Sequence, residues 1–201
     1  LDIGDTLLID AGSGFKFRQT VTNIKMAGHS PSALSSILLT HCHYDHIGAA
    51  PLFRKHLGIP LVMHEKDAEI IARGDSRLSA AICFRVELEP FPIDRILTGS
   101  EGAVSFGDRE ISWIHTPGHT PGSISPYLDQ DGLRILFGQD ISAPLLEYYD
   151  CDPSAWAESV DKLTALDADI FCDGHMGPIV GKRKVREYLK YVLRAHGGKA
   201  S

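Results

Sequence analysis

Residues 40–49 read THCHYDHIGA. Within six positions they hold His41, His43, Asp45 and His46. His41 and His43 stand two apart. On an extended segment residues i and i+2 face the same side, so both imidazoles can reach one ion just past a strand. A helix would need a spacing of four, as in HExxH. Asp45 and His46 are adjacent and point in different directions, which suits a second position beside the first. One loop therefore offers ligands for two ions. The competing reading is a surface loop of solvated histidines, yet an accidental HxHxDH match arises in only on the order of a few chains per thousand. Cys42 lies inside the run and reads as a spacer.

Three further segments share one design, a strand that ends in a glycine-bearing turn with a metal-competent residue. ISWIHTPGHTPGS (111–123) presents His119, ILFGQD (135–140) presents Asp140, and IFCDGH (170–175) presents His175. Strand ends at one edge of a sheet are where α/β proteins commonly build sites. Glycine lets the backbone come close or take a positive φ. Imidazole and carboxylate donors without thiolate suit zinc, and also iron or manganese. Asp10 ends the first apolar strand. It has two readings of equal weight, a carboxylate that orients a ligand histidine from behind and a cap on the following helix.

The elements that must position these residues alternate at first. DTLLIDAG (5–12) reads as a strand, 15–28 as a helix ending at Gly28, and LSSILLTH (34–41) as a strand running into the histidines. A helix over 47–58, a strand over 59–64 and a helix over 65–74 follow. This alternation predicts an α/β arrangement. Residues 75–92 are less regular. The second half changes to short strands broken by glycine, proline and acidic turns: RILTG, AVSFG, REISWIHT, SISPYLD and LRILFG. A helix over 153–166, a strand over 168–174 and an amphipathic helix over 183–196 close the chain.

With 201 residues, 43% of them hydrophobic and 23% charged, the chain suits one globular domain. No apolar run approaches the roughly 18 residues needed to cross a membrane. The net charge of −6 argues against a nucleic-acid partner. The Rossmann glycine signature and the P-loop are absent, so nucleotide binding has no support. Four cysteines without a CxxC pair point to reduced thiols and a cytoplasmic protein. The chain opens at Leu1 without a Met, and an N-terminal strand is expected to precede it.

Taken together, LLIDAG, LLTHCHYDHIGA, HTPGHTPGS, LFGQD and CDGH, in this order over residues 7–175, resemble the metallo-β-lactamase fold superfamily. Within it the likeness is to glyoxalase II-like (hydroxyacylglutathione hydrolase-like) metal-dependent hydrolases. The resemblance implies a four-layer αββα sandwich as a single domain over 1–201, with the metal site at one edge of the two sheets. It implies that His41, His43 and His119 bind a first metal, and that Asp45, His46 and His175 bind a second. Asp140 would bridge the two. Asp45 and Asp140 are the candidate catalytic carboxylates. Two divalent ions follow, zinc first, with iron or manganese also suited.

That constellation implies a metal-bound hydroxide attacking a small-molecule ester, thioester or lactone, with no Ser or Cys nucleophile required. Two segments are expected to wall the site: 75–92 with Ile82, Phe84 and Phe91, and 141–152 with Leu145, Leu146, Tyr148 and Tyr149. Their other reading is loop packing or a contact in a homo-oligomer. A tyrosine near the oxyanion, as in lactonases of this superfamily, would be Tyr148 or Tyr149. CDGHMGP departs from the CGHE turn of glyoxalase II, and FGQD departs from its commoner GD turn. Only residues 176–201 follow His175, where glyoxalase II carries a further helical region. These departures point away from glutathione thioesters. The alternatives are a mononuclear iron enzyme resembling persulfide dioxygenases and a nucleic-acid phosphodiesterase, the latter disfavoured by the acidic balance.

Overall fold

The computed structural model describes residues 6–197. The expected start of the first strand at Asp5, and anything before Leu1, lie outside the described residues. The protein is mixed α/β with two sheets. Its chain divides into two compact units: residues up to 98 with 104–110, and 99–103 with those from 111 onward.

In the first unit β1 (Thr6–Ile9), β2 (Leu34–Leu38), β3 (Leu61–His64) and β4 (Arg95–Leu97) form a four-stranded sheet in that order. All three pairings are parallel. Parallel neighbours need crossover connections. Helices α1 (Phe17–Met26), α2 (Tyr44–Ile47), α3 (Ala50–Leu57) and α4 (Glu65–Ala72) lie in those connections. Phe17, Val21 and Ile24 recur at helical spacing along α1. With Ala50 and Phe53 of α3 and Ala68 and Ile71 of α4, they pack in one core with Ile37, Leu39, Leu61 and Met63. Burying each such Leu or Ile contributes about 1.5–3 kcal/mol.

Three details differ from the sequence expectation. The helix expected over 47–58 begins at Ala50 as α3, and a separate short helix, α2, precedes it on the other side of Gly48. A Cβ there would lie 2.4 Å from Ser13 O and 2.8 Å from Tyr44 O, so the loop after β1 approaches the backbone where only glycine fits. β2 ends at Leu38, which leaves His41 and His43 in the loop beyond it. RILTG supplies β4 of this parallel sheet rather than a strand of the second-half meander.

The six-stranded sheet has the order β10-β9-β8-β7-β6-β5. Its strands are β5 (Glu101–Phe106), β6 (Arg109–His115), β7 (Ile124–Gln130), β8 (Leu133–Phe137), β9 (Ile170–Cys172) and β10 (Ile179–Val180). β6–β7 and β7–β8 pair antiparallel, whereas β8–β9 pair parallel across α5 (Pro153–Ala165). Asp152 caps α5 by accepting from Ser154 N–H and Ala155 N–H, and Pro153 opens the helix. Trp156, Val160 and Leu163 of α5 and Val185, Leu189 and Val192 of α6 (Lys182–Gly197) share a core with Leu136 and Phe171. Two-residue β10 was not expected, since so short a strand leaves no alternation to read. No helix among the described residues is long and apolar enough to cross a membrane.

Candidate metal centre

In the first unit the histidine-rich loop leaves the C-terminal end of β2. β1 pairs with β2 so that Ile9 faces Leu38, which sets Asp10 beside Thr40. Asp10 Oδ1 accepts the Thr40 N–H at 2.7 Å, and Oδ2 accepts the Thr40 hydroxyl at 2.8 Å. Oδ2 also lies 2.8 Å from His46 Nδ1. A carboxylate only accepts, so His46 carries its proton on Nδ1 and turns the Nε2 lone pair outward. The Thr40 hydroxyl has given its only proton to Asp10, so its oxygen accepts from His41 Nδ1 at 3.0 Å. His41 is thereby set in the same tautomer. One carboxylate orients both rings, directly at His46 and through Thr40 at His41.

The rings crowd together. The His41 centroid lies 4.1 Å from that of His46 and 4.9 Å from that of His43. All three are buried, and Asp45 Oδ2 stands 3.7 Å from His46 Nε2. Asp10 itself sits at φ 58°, a left-handed backbone uncommon outside glycine. Its carboxylate serves the histidines, while the cap position of α1 is Lys16, with no side-chain cap bond. Ala11 N–H and Gly12 N–H both donate to His46 O, so the loop after β1 also grips the backbone of His46.

In the second unit, strand register does the positioning. β8 and β9 are parallel with Phe137 facing Cys172. Asp140 and His175 each follow three residues later and so emerge side by side. His175 Nε2 lies 3.0 Å from Asp140 Oδ2. β6 runs in the same direction as β8, because β7 is antiparallel to both. It delivers His119, whose Nε2 lies 3.8 Å from the same Asp140 oxygen. His119 and Asp140 are buried, whereas the His175 side chain is 54% exposed.

The His119 turn is packed tightly. A Cβ on Gly118, at φ 131°, would lie 2.4 Å from the Trp156 backbone. Ser159 Oγ donates to Pro117 O, the Cys151 thiol donates to His119 O, and Asp152 N–H donates to Gly118 O. The Thr120 and Ser123 hydroxyls close the turn at 2.7 Å. Around His175, Asp173 is the hub. It accepts the His175 N–H through Oδ1, and the Ser142 and Tyr188 hydroxyls through Oδ2.

The matching family model, described as the Metallo-beta-lactamase superfamily, covers residues 2–175. The chain belongs to the metallo-beta-lactamase superfamily. Over 209 residues it is 32% identical to the probable metallo-hydrolase YflN of Bacillus subtilis (strain 168), covering 88% of this chain and 77% of that relative. Over 176 residues it is 27% identical to the hydroxyacylglutathione hydrolase of Chelativorans sp. (strain BNC1), covering 87% of this chain. It spans 58% of that relative's length. The solved metallo-beta-lactamase GOB-18 of Elizabethkingia meningoseptica superposes with a TM-score of 0.79 at 21% identity, over 98% of this chain and 83% of that one. This last likeness is one of fold.

Members of the superfamily bind metal ions, and the donors here fit such ions. Buried imidazoles this close cannot all be protonated without strong repulsion. As neutral rings they offer nitrogen lone pairs, and Asp45 and Asp140 add oxygen donors. Asp10, His41 and His46 bring ligand-type atoms within 4.8 Å of one another. Cys42 stays out of this chemistry. Its thiol donates to Leu78 O in the core, and burial, then the Asp67 carboxylate, pushes its pKa well up.

Asp67 was missed in the sequence. It is fully buried, and its Oδ2 accepts the Cys42 N–H at 2.8 Å, which pins the backbone between His41 and His43. Of the expected wall residues, Phe84 joins Phe15 and Tyr44 in a cluster of three rings, with centroids 5.5–6.3 Å apart. Phe91 packs partly buried against the first core, and Leu145 against the second. Leu146 and Tyr148 are exposed, and the Tyr148 ring meets Tyr149 edge-on at 5.1 Å. Other histidines are engaged elsewhere: His64 at the N-terminus of α4, His115 with Pro121 O, and His196 with Ser142 O.

Proposed function

We propose that this chain is a dinuclear metal-dependent hydrolase acting on a small-molecule ester, thioester or lactone. The observation that carries the reading is the Asp10 hub, in which one carboxylate fixes the tautomers of His41 and His46 so that both present Nε2. Histidines kept only for packing have no need of such orientation. The motif order assigns His41, His43 and His119 to one ion and Asp45, His46 and His175 to the other, with Asp140 shared. The position of Asp140 Oδ2 beside both His119 and His175 supports the shared role. When bound, two divalent ions would bring water's pKa toward neutrality and polarise a substrate carbonyl.

The residues themselves do three things. Asp45 and Asp140 offset the positive charge at the centre. Asp10 and Asp173 hold ligand-bearing turns in place from behind. The burial of His41, His43, His46 and His119 keeps bulk water from screening the charge that develops there. Zinc suits the donors first, with iron or manganese next. Four cysteines without a disulfide-like framework favour a reducing, cytoplasmic setting.

The reading is tested by elemental analysis of protein purified without added metal, followed by a substrate panel. About two ions per chain are expected, with hydrolysis of thioester or lactone substrates and none of phosphoesters. A single ion per chain, together with full activity in Asp45→Asn, would overturn the dinuclear mechanism. Cleavage of phosphoesters alone would overturn the substrate class.

A further inference from the structure

Gln139 immediately precedes Asp140 and is 2% exposed. Its backbone sits at φ 46°, a left-handed conformation that suits glycine and strains a residue with a side chain. Its main-chain carbonyl accepts the Gly174 N–H at 2.9 Å, which ties the Asp140 turn to the His175 turn. Its side-chain Oε1 accepts the Asp140 N–H at 2.8 Å. Only the oxygen of a carboxamide can accept, so this bond fixes which way the amide faces. The Nε2 end is then buried, with no hydrogen-bond partner among the described residues.

Glycine at this position would keep the carbonyl bond to Gly174 and remove the strained backbone and the unsatisfied buried donor, at the loss of the side-chain acceptor for the Asp140 N–H. Costs of this kind persist where the surroundings over-determine them, and they gather at functional sites. We propose that Gln139 is a positioning residue of the metal centre. Its carboxamide clamps the backbone of Asp140 through Oε1 and offers the buried Nε2–H as a donor to an oxygen held with the ions. The inference rests on the metal-dependent reading above.

Two variants of the full chain separate strain from function. Gln139→Gly relieves the backbone and removes the amide, whereas Gln139→Met keeps bulk and strain and removes only the amide. Three readouts need no substrate: melting of chelator-stripped protein, its rise on adding zinc, and the visible spectrum of the cobalt(II)-loaded form. Both variants lose the acceptor of the Asp140 N–H, so stripped Gln139→Gly, relieved of backbone strain, should melt a few degrees above stripped Gln139→Met. Both should show a smaller zinc-induced rise, a shifted cobalt band and zinc affinity lower by about tenfold. If both variants match wild type in zinc response and cobalt spectrum, Gln139 has no such role. A wild type that takes up neither zinc nor cobalt overturns the metal reading itself, and this inference with it. A wild type that binds cobalt but cleaves no ester overturns only the hydrolase reading, and the spectra still decide on Gln139.

Discussion

The two units hold metal-competent residues in different ways. The first unit gathers His41, His43, Asp45 and His46 on one loop and orients two of the rings from a single carboxylate, Asp10. The second unit draws His119, Asp140 and His175 from three strand ends and places them by register and close backbone packing. Side-chain hydrogen bonds dominate the first arrangement, and steric fit dominates the second. The units should therefore fail differently when perturbed.

The largest effect is expected where steric fit is tightest. Gly118→Ala forces a Cβ to 2.4 Å from the Trp156 backbone at φ 131°, and backbone cannot swing aside as a side chain can. A loss of about 3 kcal/mol or more is expected, or roughly 6–10 °C in thermal melting. The matched control in the first unit is Gly12→Ala. At φ 79° and with nothing within 4 Å, it meets only backbone strain, about 1 kcal/mol. Equal melting of the two variants would show that packing does not set the His119 turn.

Next is the buried carboxylate beneath the first loop. Asp67→Ala leaves the Cys42 N–H without its acceptor in a fully buried setting. A cost of about 2–3 kcal/mol is expected, read from urea unfolding. The same variant should weaken zinc binding, because the backbone between His41 and His43 loses its anchor. An unchanged midpoint and unchanged affinity would mean that the loop is held by Asp10 alone.

Asp10→Ala and Asp173→Ala compare the two hubs directly. Asp10 sets two buried imidazoles, so its loss should lower zinc affinity about 10–100-fold. Asp173 holds only the backbone of the turn that carries His175, a side chain 54% exposed, and its loss should cost less than tenfold. Competition titration against a chromophoric chelator measures both. The reverse ranking would show that the second unit's turn, rather than the Asp10 hub, limits affinity.

What the sequence made legible follows the same division. HxHxDH was readable because its residues are local, and the strand-end turns were readable because glycine marks them. Asp67 carried no signal, since its partner Cys42 is 25 positions away and only the packing of α4 joins them. Ser142 and Tyr188 were silent for the same reason, reaching Asp173 from 31 and 15 positions away. The break at Gly48 was hidden because Ala49 to Leu57 continues a helical pattern, while the close approach of Ser13 O is tertiary. β4 was assigned to the wrong half because three residues, Arg95–Leu97, name no strand partner. The Asp10 carboxylate had two readings in sequence, and only the pairing of Ile9 with Leu38 shows which atoms it reaches.

The smallest predicted effect isolates the second hub by pH. Tyr188 donates its hydroxyl to Asp173 Oδ2 at 3.0 Å. Its pKa is pushed up to about 12, chiefly by burial and further by the Asp173 carboxylate, against a smaller lowering influence of the neighbouring Ser142 hydroxyl. A phenol held neutral in the folded state binds its proton more tightly there than when unfolded. Its stabilisation is therefore complete below the unfolded value near 10 and is lost as pH rises toward 12. With discount for the solvent that reaches this ring, the span is about 1 kcal/mol. Tyr188→Phe cannot ionise, so stability against urea should fall less steeply between pH 10 and 12 than in wild type. Asp173→Ala removes both the acceptor and the charge that raise this pKa, and it should shift the wild-type loss toward lower pH. Parallel curves for all three proteins would separate Tyr188 from Asp173 and leave the His175 turn held by Ser142 and the strand register.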